Sequence, residues 1–287
     1  MTDQESGDGA RRLFAEAART DKPDLATLCL LLGELVEPGR GAVDREEAER
    51  AVDEGQIELD RLTGELPFAA HRRPVDWAGT LRALLGERLG FHGDRDDYER
   101  LESSQLGKVL RRRRGLPILL SVVWIEVARR AGAPVHGVAL PGHFVVGFGE
   151  PDGEHVLVDP FAGGRLMSEQ EAELLVAGAT GRPLSRAMLQ PAQPLEIVSR
   201  VLNNIRSWAA QRPEHTDVAL AAVELALLLP HHPARLRYER ARLLVERGDF
   251  VAGARGLEEY AALVAAMEPQ AAETAHREAR AARARLN

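Results

Sequence analysis

Apolar residues recur every three or four positions through the first third of the chain, which is the period of a helix lying on a core. Residues 10–35 carry Leu13, Ala17, Leu25, Leu28, Leu32 and Leu35 in this way, with Pro23-Asp24 where a helix would start and Pro38-Gly39 as a break. Residues 44–64 predict a charged helix with Ala48, Val52, Ile57 and Leu62 on its apolar side. A third helix is expected after Asp76, with Leu81, Leu84 and Leu85 facing inward. Residues 1–9 are polar, show no such period and are expected to be disordered. Phe91-His92-Gly93-Asp94 predicts a turn, and residues 95–105 a surface loop with a helical start.

The middle of the chain changes period. A short helix from Ser103 runs into Arg111–Arg114 and is stopped by Gly115. Pro117 then suits the first position of a new helix, because its missing N–H is not needed there and its φ is already helical. Helix 117–131 is apolar nearly all round until Glu126, which predicts a central, buried position, and Gly132 is its expected cap. From Val135 the pattern becomes that of strands: Val135–Leu140, then His143–Phe148 after Pro141-Gly142, then His155–Val158 after Pro151-Asp152-Gly153. Asp159-Pro160 and Gly163-Gly164 are expected to close the sheet. The unit is one buried helix packed on a small antiparallel sheet, an α+β arrangement.

From Ser168 the pattern is helical again. Pro191 and Pro194 mark a boundary, followed by expected helices near 196–211, 215–229, 233–247, 250–266 and 270–286. Gly248-Asp249-Phe250 joins two of these as a helix hairpin of the tetratricopeptide kind. The organisation expected from these breaks is a tail at 1–9, an N-terminal helical region at 10–90, an α+β core at 91–190 and a tetratricopeptide-like helical region at 195–287.

Composition narrows the choice of function. At 287 residues the chain can bury a sizeable core. A net charge of −7 argues against a general nucleic-acid binder, although Arg residues cluster at Arg111–Arg114. The single cysteine, Cys29, allows neither an internal disulfide nor a cysteine metal cluster, and its setting among Leu25, Leu28 and Leu32 suggests a buried structural thiol. The N-terminus lacks the apolar stretch of a signal peptide, and no run of 18 apolar residues suggests a membrane span. A cytoplasmic location is the expectation, and the Ala/Arg richness suggests a bacterial source.

Candidate chemistry centres on His143 and Asp159, 16 residues apart on strands expected to be neighbours in one hairpin. An imidazole oriented by a carboxylate is two thirds of a Cys-His-Asp site. The missing third is a thiolate at a helix N-terminus, where the helix dipole favours the anion. Alone, His143 also reads as a turn histidine and Asp159 as the turn-forming residue before Pro160.

The order of Gly115, a helix ending in ARRAGAPV, His143-Phe144 and VDPF resembles the core of transglutaminase-like proteins. The combination of VLRRRRGLPILLS, PGHFVV, VDPFAGG and the upstream GFHGDRDDY, with a tetratricopeptide-like tail, resembles the SirB-one family over roughly residues 70–270. The resemblance implies a transglutaminase-like (papain-like) fold, with the histidine at His143 and the aspartate at Asp159. It puts the nucleophilic-cysteine position of transglutaminase-like proteins at Pro117, and members of the SirB-one family generally carry Pro there. Leu116 and Leu119 depart from the family pattern, which usually has Asn and Thr or Ser there.

Few other residues could fill the missing role. Ser121 lies one turn beyond Pro117 and is a weak candidate nucleophile; a back-bond to its own helix is the plainer reading. Metal binding by His136, His143 and His155 lacks a fixed ligand spacing, so neither metal nor other cofactor is expected. His231-His232, between prolines, reads as solvated, and Arg111–Arg114 as a solvated loop or a steering patch for an acidic partner. The leading expectation is a non-catalytic protein- or peptide-binding module with a protein or peptide partner. The alternative is a thiol-independent hydrolase or acyl-transfer enzyme using His143 and Asp159, and a third reading makes the core a scaffold only.

Overall fold

A computed structural model describes residues 2–39, 43–67 and 72–286, with side chains from residue 9 onward. Three helices come first: α1 (Thr2–Ala18), α2 (Leu25–Leu35) and α3 (Arg45–Gly64). α1 begins at Thr2, so residues 2–9 are helical where the sequence predicts disorder. Ala10, Phe14 and Ala18 are buried on one side of this helix. Once that face is packed, extending the helix upstream adds one hydrogen bond per residue fixed and needs no new nucleation. α2 and α3 open at Asp24 and Asp44, whose carboxylates accept from Thr27 N and Glu47 N, each at 2.8 Å.

α4 (Pro74–Leu81) starts with proline in its first turn and runs directly into a π-helical stretch, Arg82–Arg88. Two short 3₁₀ turns, Arg95–Glu99 and Leu101–Ser104, replace the loop expected at 95–105 and lead into α5 (Leu106–Arg112). α6 (Pro117–Arg130) is the centre of the molecule, with every residue from Pro117 to Ala128 buried. Gly132, at φ +84°, follows its end as expected of a helix-terminating glycine.

The sheet is a four-stranded antiparallel meander in the order β1 (Val135–Val138), β2 (Val145–Gly149), β3 (His155–Asp159) and β4 (Arg165–Met167). Side chains alternate between two apolar layers, as strand geometry requires. Val146, Phe148 and Val158 join the cluster that contains α6. Val138, Val145, Leu157 and Met167 join a second cluster with Ala172 and Val176 of α7 (Glu169–Thr180) and with Leu184, Met188 and Leu189.

β4 follows a tight turn in which Gly164 sits at φ +85° against the indole of Trp124, with no room for a Cβ. The helices α8 (Pro194–Ala209), α9 (Thr216–Leu228), α10 (Arg235–Arg247), α11 (Phe250–Val264) and α12 (Pro269–Ala284) complete the chain. α8 and α9 share the main core with α6, whereas α10–α12 pack around Leu257, Tyr260, Ala261 and a row of alanines on α12. No helix among the described residues is long and apolar enough to cross a membrane.

Candidate functional site

Three segments converge on the N-terminus of α6. Leu116 N donates to Ser103 O at 2.9 Å, anchoring the residue before Pro117 to the second 3₁₀ turn. Pro117 occupies the start of the helix, where its lack of an N–H costs nothing. Gly93 is packed so closely under Phe161 and the Gly115 carbonyl that a Cβ would overlap both, and Gly93 N donates to Phe161 O at 3.0 Å. The Phe91–Asp94 turn, the Gly115–Pro117 entry and the turn after β3 therefore form one packed junction.

His143 lies in the turn before β2, two residues ahead of the strand, rather than at its first position as the sequence predicts. Gly142 takes φ +76° and His143 N donates to Leu140 O at 3.2 Å, and this turn swings the imidazole toward the open end of the β2–β3 ladder. Asp159 is the last residue of β3. The expected pairing is present as a contact: His143 Nε2 is 3.1 Å from Asp159 Oδ2, with side-chain exposures of 12% and 10%. The ring nitrogen is buried and is not aligned with the carboxylate as a linear hydrogen bond, so the contact is close but imperfectly aimed.

Asp159 is fixed from the other side. Its Oδ1 accepts from Phe161 N at 3.0 Å and Ala162 N at 3.4 Å, closing a turn over Pro160. With Asp159 beside Nε2, Nδ1 is the nitrogen left to exchange a proton or accept a hydrogen bond. No hydrogen bond from a described residue reaches it.

An aromatic series leads outward from the pair. The Phe161 ring stands edge-on to His143 at 6.3 Å, and Tyr98 stands edge-on to Phe161 at 5.9 Å. Tyr98 is half exposed; burial first, and the Asp159 charge second, push its phenol up from the ordinary value. Ser121 is fully buried and donates to Phe144 O at 3.4 Å, across to the strand segment rather than back along its helix. That corrects the expected back-bond and directs the hydroxyl at a backbone acceptor.

The remaining candidates do not join this group. His136 lies over Gly147, and burial, with the neighbouring His155 second, lowers its pKa. His155 is at the opposite end of β3 from Asp159, with Nδ1 3.1 Å from Gly153 O. His136, His143 and His155 therefore do not converge, and no group of three potential ligands among the described residues is placed to hold a metal ion. His232 bonds to Leu229 O through Nδ1 at 3.0 Å and is half-buried, so only part of the expected solvated pair is free. Cys29 is fully buried, and desolvation, followed by the Glu126 and Asp24 charges, raises its pKa strongly.

The arginine run has a structural task that its sequence does not announce. Asp97, 2% exposed, accepts from Ser103 Oγ at 2.9 Å and from Arg114 Nε and Nη2 at 3.1 and 2.9 Å. Arg112 Nη2 lies 3.4 Å from its other oxygen. Arg113 takes a left-handed φ of +57° to end α5 and donates to Leu89 O at 3.0 Å. Arg111 is exposed, and among the described residues it has no partner of this kind. The expected solvated run is thus largely a clamp between the Asp94–Asp97 turn and the entry to α6. Asp97, Phe161, Tyr98 and Arg200 were not singled out by the sequence. The only signal for the first was its place in GFHGDRDDY, and Arg200 had none.

Comparison with known proteins agrees with this architecture. Residues 47–203 match the family model described as transglutaminase-like superfamily, and residues 205–287 that of the tetratricopeptide repeat. The chain belongs to the transglutaminase-like superfamily, with a tetratricopeptide region following the core.

A UPF0162 protein of Xylella fastidiosa is 38% identical over 169 residues, 57% of this chain and 59% of that one. A UPF0162 protein of Vibrio cholerae is 29% identical, covering 66% of this chain and 71% of its own length. F-box only protein 21 of Mus musculus is 26% identical over 58% of this chain and 27% of that protein. The match thus spans about three fifths of the length of the Xylella relative. A crystal structure of menin overlays 88% of this chain and 68% of its own with a TM-score of 0.42 at 12% identity.

Proposed function

We propose that this chain is a non-catalytic, protein- or peptide-binding member of the transglutaminase-like superfamily. The observation that carries the reading is Pro117 at the first turn of α6, where the resemblance puts the nucleophilic thiol, while His143 and Asp159 remain 3.1 Å apart. A proline has no group that can attack a carbonyl, and the nearby hydroxyl of Ser121 is buried and directed at Phe144 O. What remains is an imidazole with its Nδ1 open to a ligand, beside an aromatic wall, which suits recognition. The tetratricopeptide region adds a module of a kind that generally mediates protein contacts.

Capture of partners from an extract of the native cell tests this, comparing the parent with His143→Ala and with a truncation near Pro194. A specific protein or peptide partner weakened by His143→Ala is the expected result. A partner set identical in the parent and His143→Ala would contradict a role for the pair in binding.

One observation favours a second reading. The His143 ring keeps 12% exposure, and no hydrogen bond from a described residue reaches its Nδ1. An enzyme using His143 and Asp159 to activate water or a substrate's own nucleophile needs that nitrogen free. Turnover of peptide or amide substrates that disappears in His143→Ala would establish this reading over the first.

A further inference from the structure

Helix α8 reaches the candidate site at two separate places. In its second turn Arg200 grips the segment that ends in His143. Its Nη1 donates to Ala139 O at 3.3 Å, and its Nη2 to Leu140 O at 2.9 Å and His143 O at 3.4 Å. The guanidinium carbon also lies 5.7 Å from the Phe144 ring centroid. The partners of Arg200 are these main-chain carbonyls and this ring; no carboxylate among the described residues pairs with it, and burial lowers its pKa.

At the other end of α8, Trp208 Nε1 donates to Glu99 O at 3.0 Å. Arg212, just beyond the helix, pairs with the Glu99 carboxylate and stacks 4.6 Å over the Trp208 ring. Glu99 follows Tyr98, the outer member of the aromatic series that ends at His143. One helix thus holds the turn carrying the imidazole and the segment carrying the aromatic wall opposite it.

A half-buried guanidinium facing carbonyls alone is an expensive way to fill space. An aliphatic side chain would pack there without loss of hydration. The planar fork of arginine can hold several carbonyls in one fixed relation, which a flexible ammonium does poorly. The turn at Leu140–His143 is otherwise tied by a single internal hydrogen bond.

We propose that α8 is the clamp of the candidate site and that Arg200 is the positioning residue of His143, holding the imidazole beside Asp159. The proposal deepens the binding reading, resting on it for the importance of His143 but not for the geometry. Because α8 also packs against α9, the clamp is continuous with the C-terminal helices.

Ring ¹⁵N chemical shifts of His143 in the full-length, histidine-labelled protein test the proposal, with circular dichroism to verify folding. The parent is expected to show one tautomer, the proton held on Nε2 beside Asp159. Arg200→Gln should lose that single-tautomer signature. Arg200→Lys, which keeps the charge but not the fork, should retain it only in part. Arg206→Gln is the control: Arg206 is on the same helix but bonds to Asn203 and Glu239, away from the turn, so the parent spectrum is expected.

Folded Arg200→Gln and Arg200→Lys proteins with the parent signature would overturn the proposal. So would loss of the signature in Arg206→Gln, which would mark general loosening of the helix. If Arg200→Gln does not fold, Arg200→Lys decides alone. Failure here leaves the His143→Ala capture result untouched, so this proposal and the binding reading fail separately.

Discussion

His143 Nε2 stands 3.1 Å from Asp159 Oδ2, just beyond the last register pair of the β2–β3 ladder, Val146 with Val158. The contact joins a turn to a strand end, so each partner needs its own anchor. Asp159 has one in the main-chain N–H groups of Phe161 and Ala162. Removing the carboxylate in Asp159→Ala should cost about 1–3 kcal/mol of stability, because those donors lose their acceptor. Asp159→Asn keeps an acceptor oxygen of the same shape and should stay within about 1 kcal/mol of the parent. Urea denaturation of the two variants measures the difference; equal losses would contradict the turn's dependence on this acceptor.

Asp97 is the second buried carboxylate with a clear structural task. Asp97→Ala leaves Arg112 and Arg114 without their shared partner and should destabilise by about 3 kcal/mol, the lower end of the cost of breaking a buried pair, since both arginines are partly exposed. Arg111→Ala, at an exposed member of the run, should change stability by no more than about 0.5 kcal/mol. Chemical denaturation of both variants checks the contrast, and similar losses would show that the run acts as a surface patch after all.

Cys29 supplies a pH dependence with a definite sign. Its folded-state pKa is raised by burial, so above the ordinary thiol range the unfolded chain releases a proton that the folded chain keeps. The contribution is fully present below the unfolded pKa and is lost as pH rises above it. Thermal melts of the parent should therefore fall more steeply on the alkaline side than those of Cys29→Ala. Parallel curves would contradict the assignment. The same burial should leave Cys29 unreactive toward a thiol reagent until the protein unfolds.

The sequence made the central helix legible because Pro117 at the start, an apolar run and Gly132 at the end all specify the same element. The sheet was legible as far as its strands alternate, and His143 and Asp159 could be paired from their places around the hairpin. β4 was missed because three residues after Gly163-Gly164 give no period to read. The offset of His143 from β2 follows from the turn at Gly142, where the backbone leaves the ladder before the apolar pattern does. Asp97 and Arg200 were hidden for another reason. Arg200 finds its partners 57–61 residues back along the chain. Those of Asp97 lie 6–17 residues on, in a stretch that reads as loop and solvated arginines. A charged residue buried by another segment looks like any surface charge. The helix at residues 2–9 was missed because its support comes from packing at Ala10 and Phe14 rather than from its own polar sequence.

On the proposed reading, the core binds a partner without turning it over. The most direct measurement is the rate at which the purified full-length protein hydrolyses, or transfers acyl groups from, a panel of peptide and amide substrates, beside His143→Ala under the same conditions. The expected result is a rate equal to that of buffer for both proteins. Turnover by the parent that is abolished in His143→Ala would contradict the account and make the His143–Asp159 pair a working active site without a thiol.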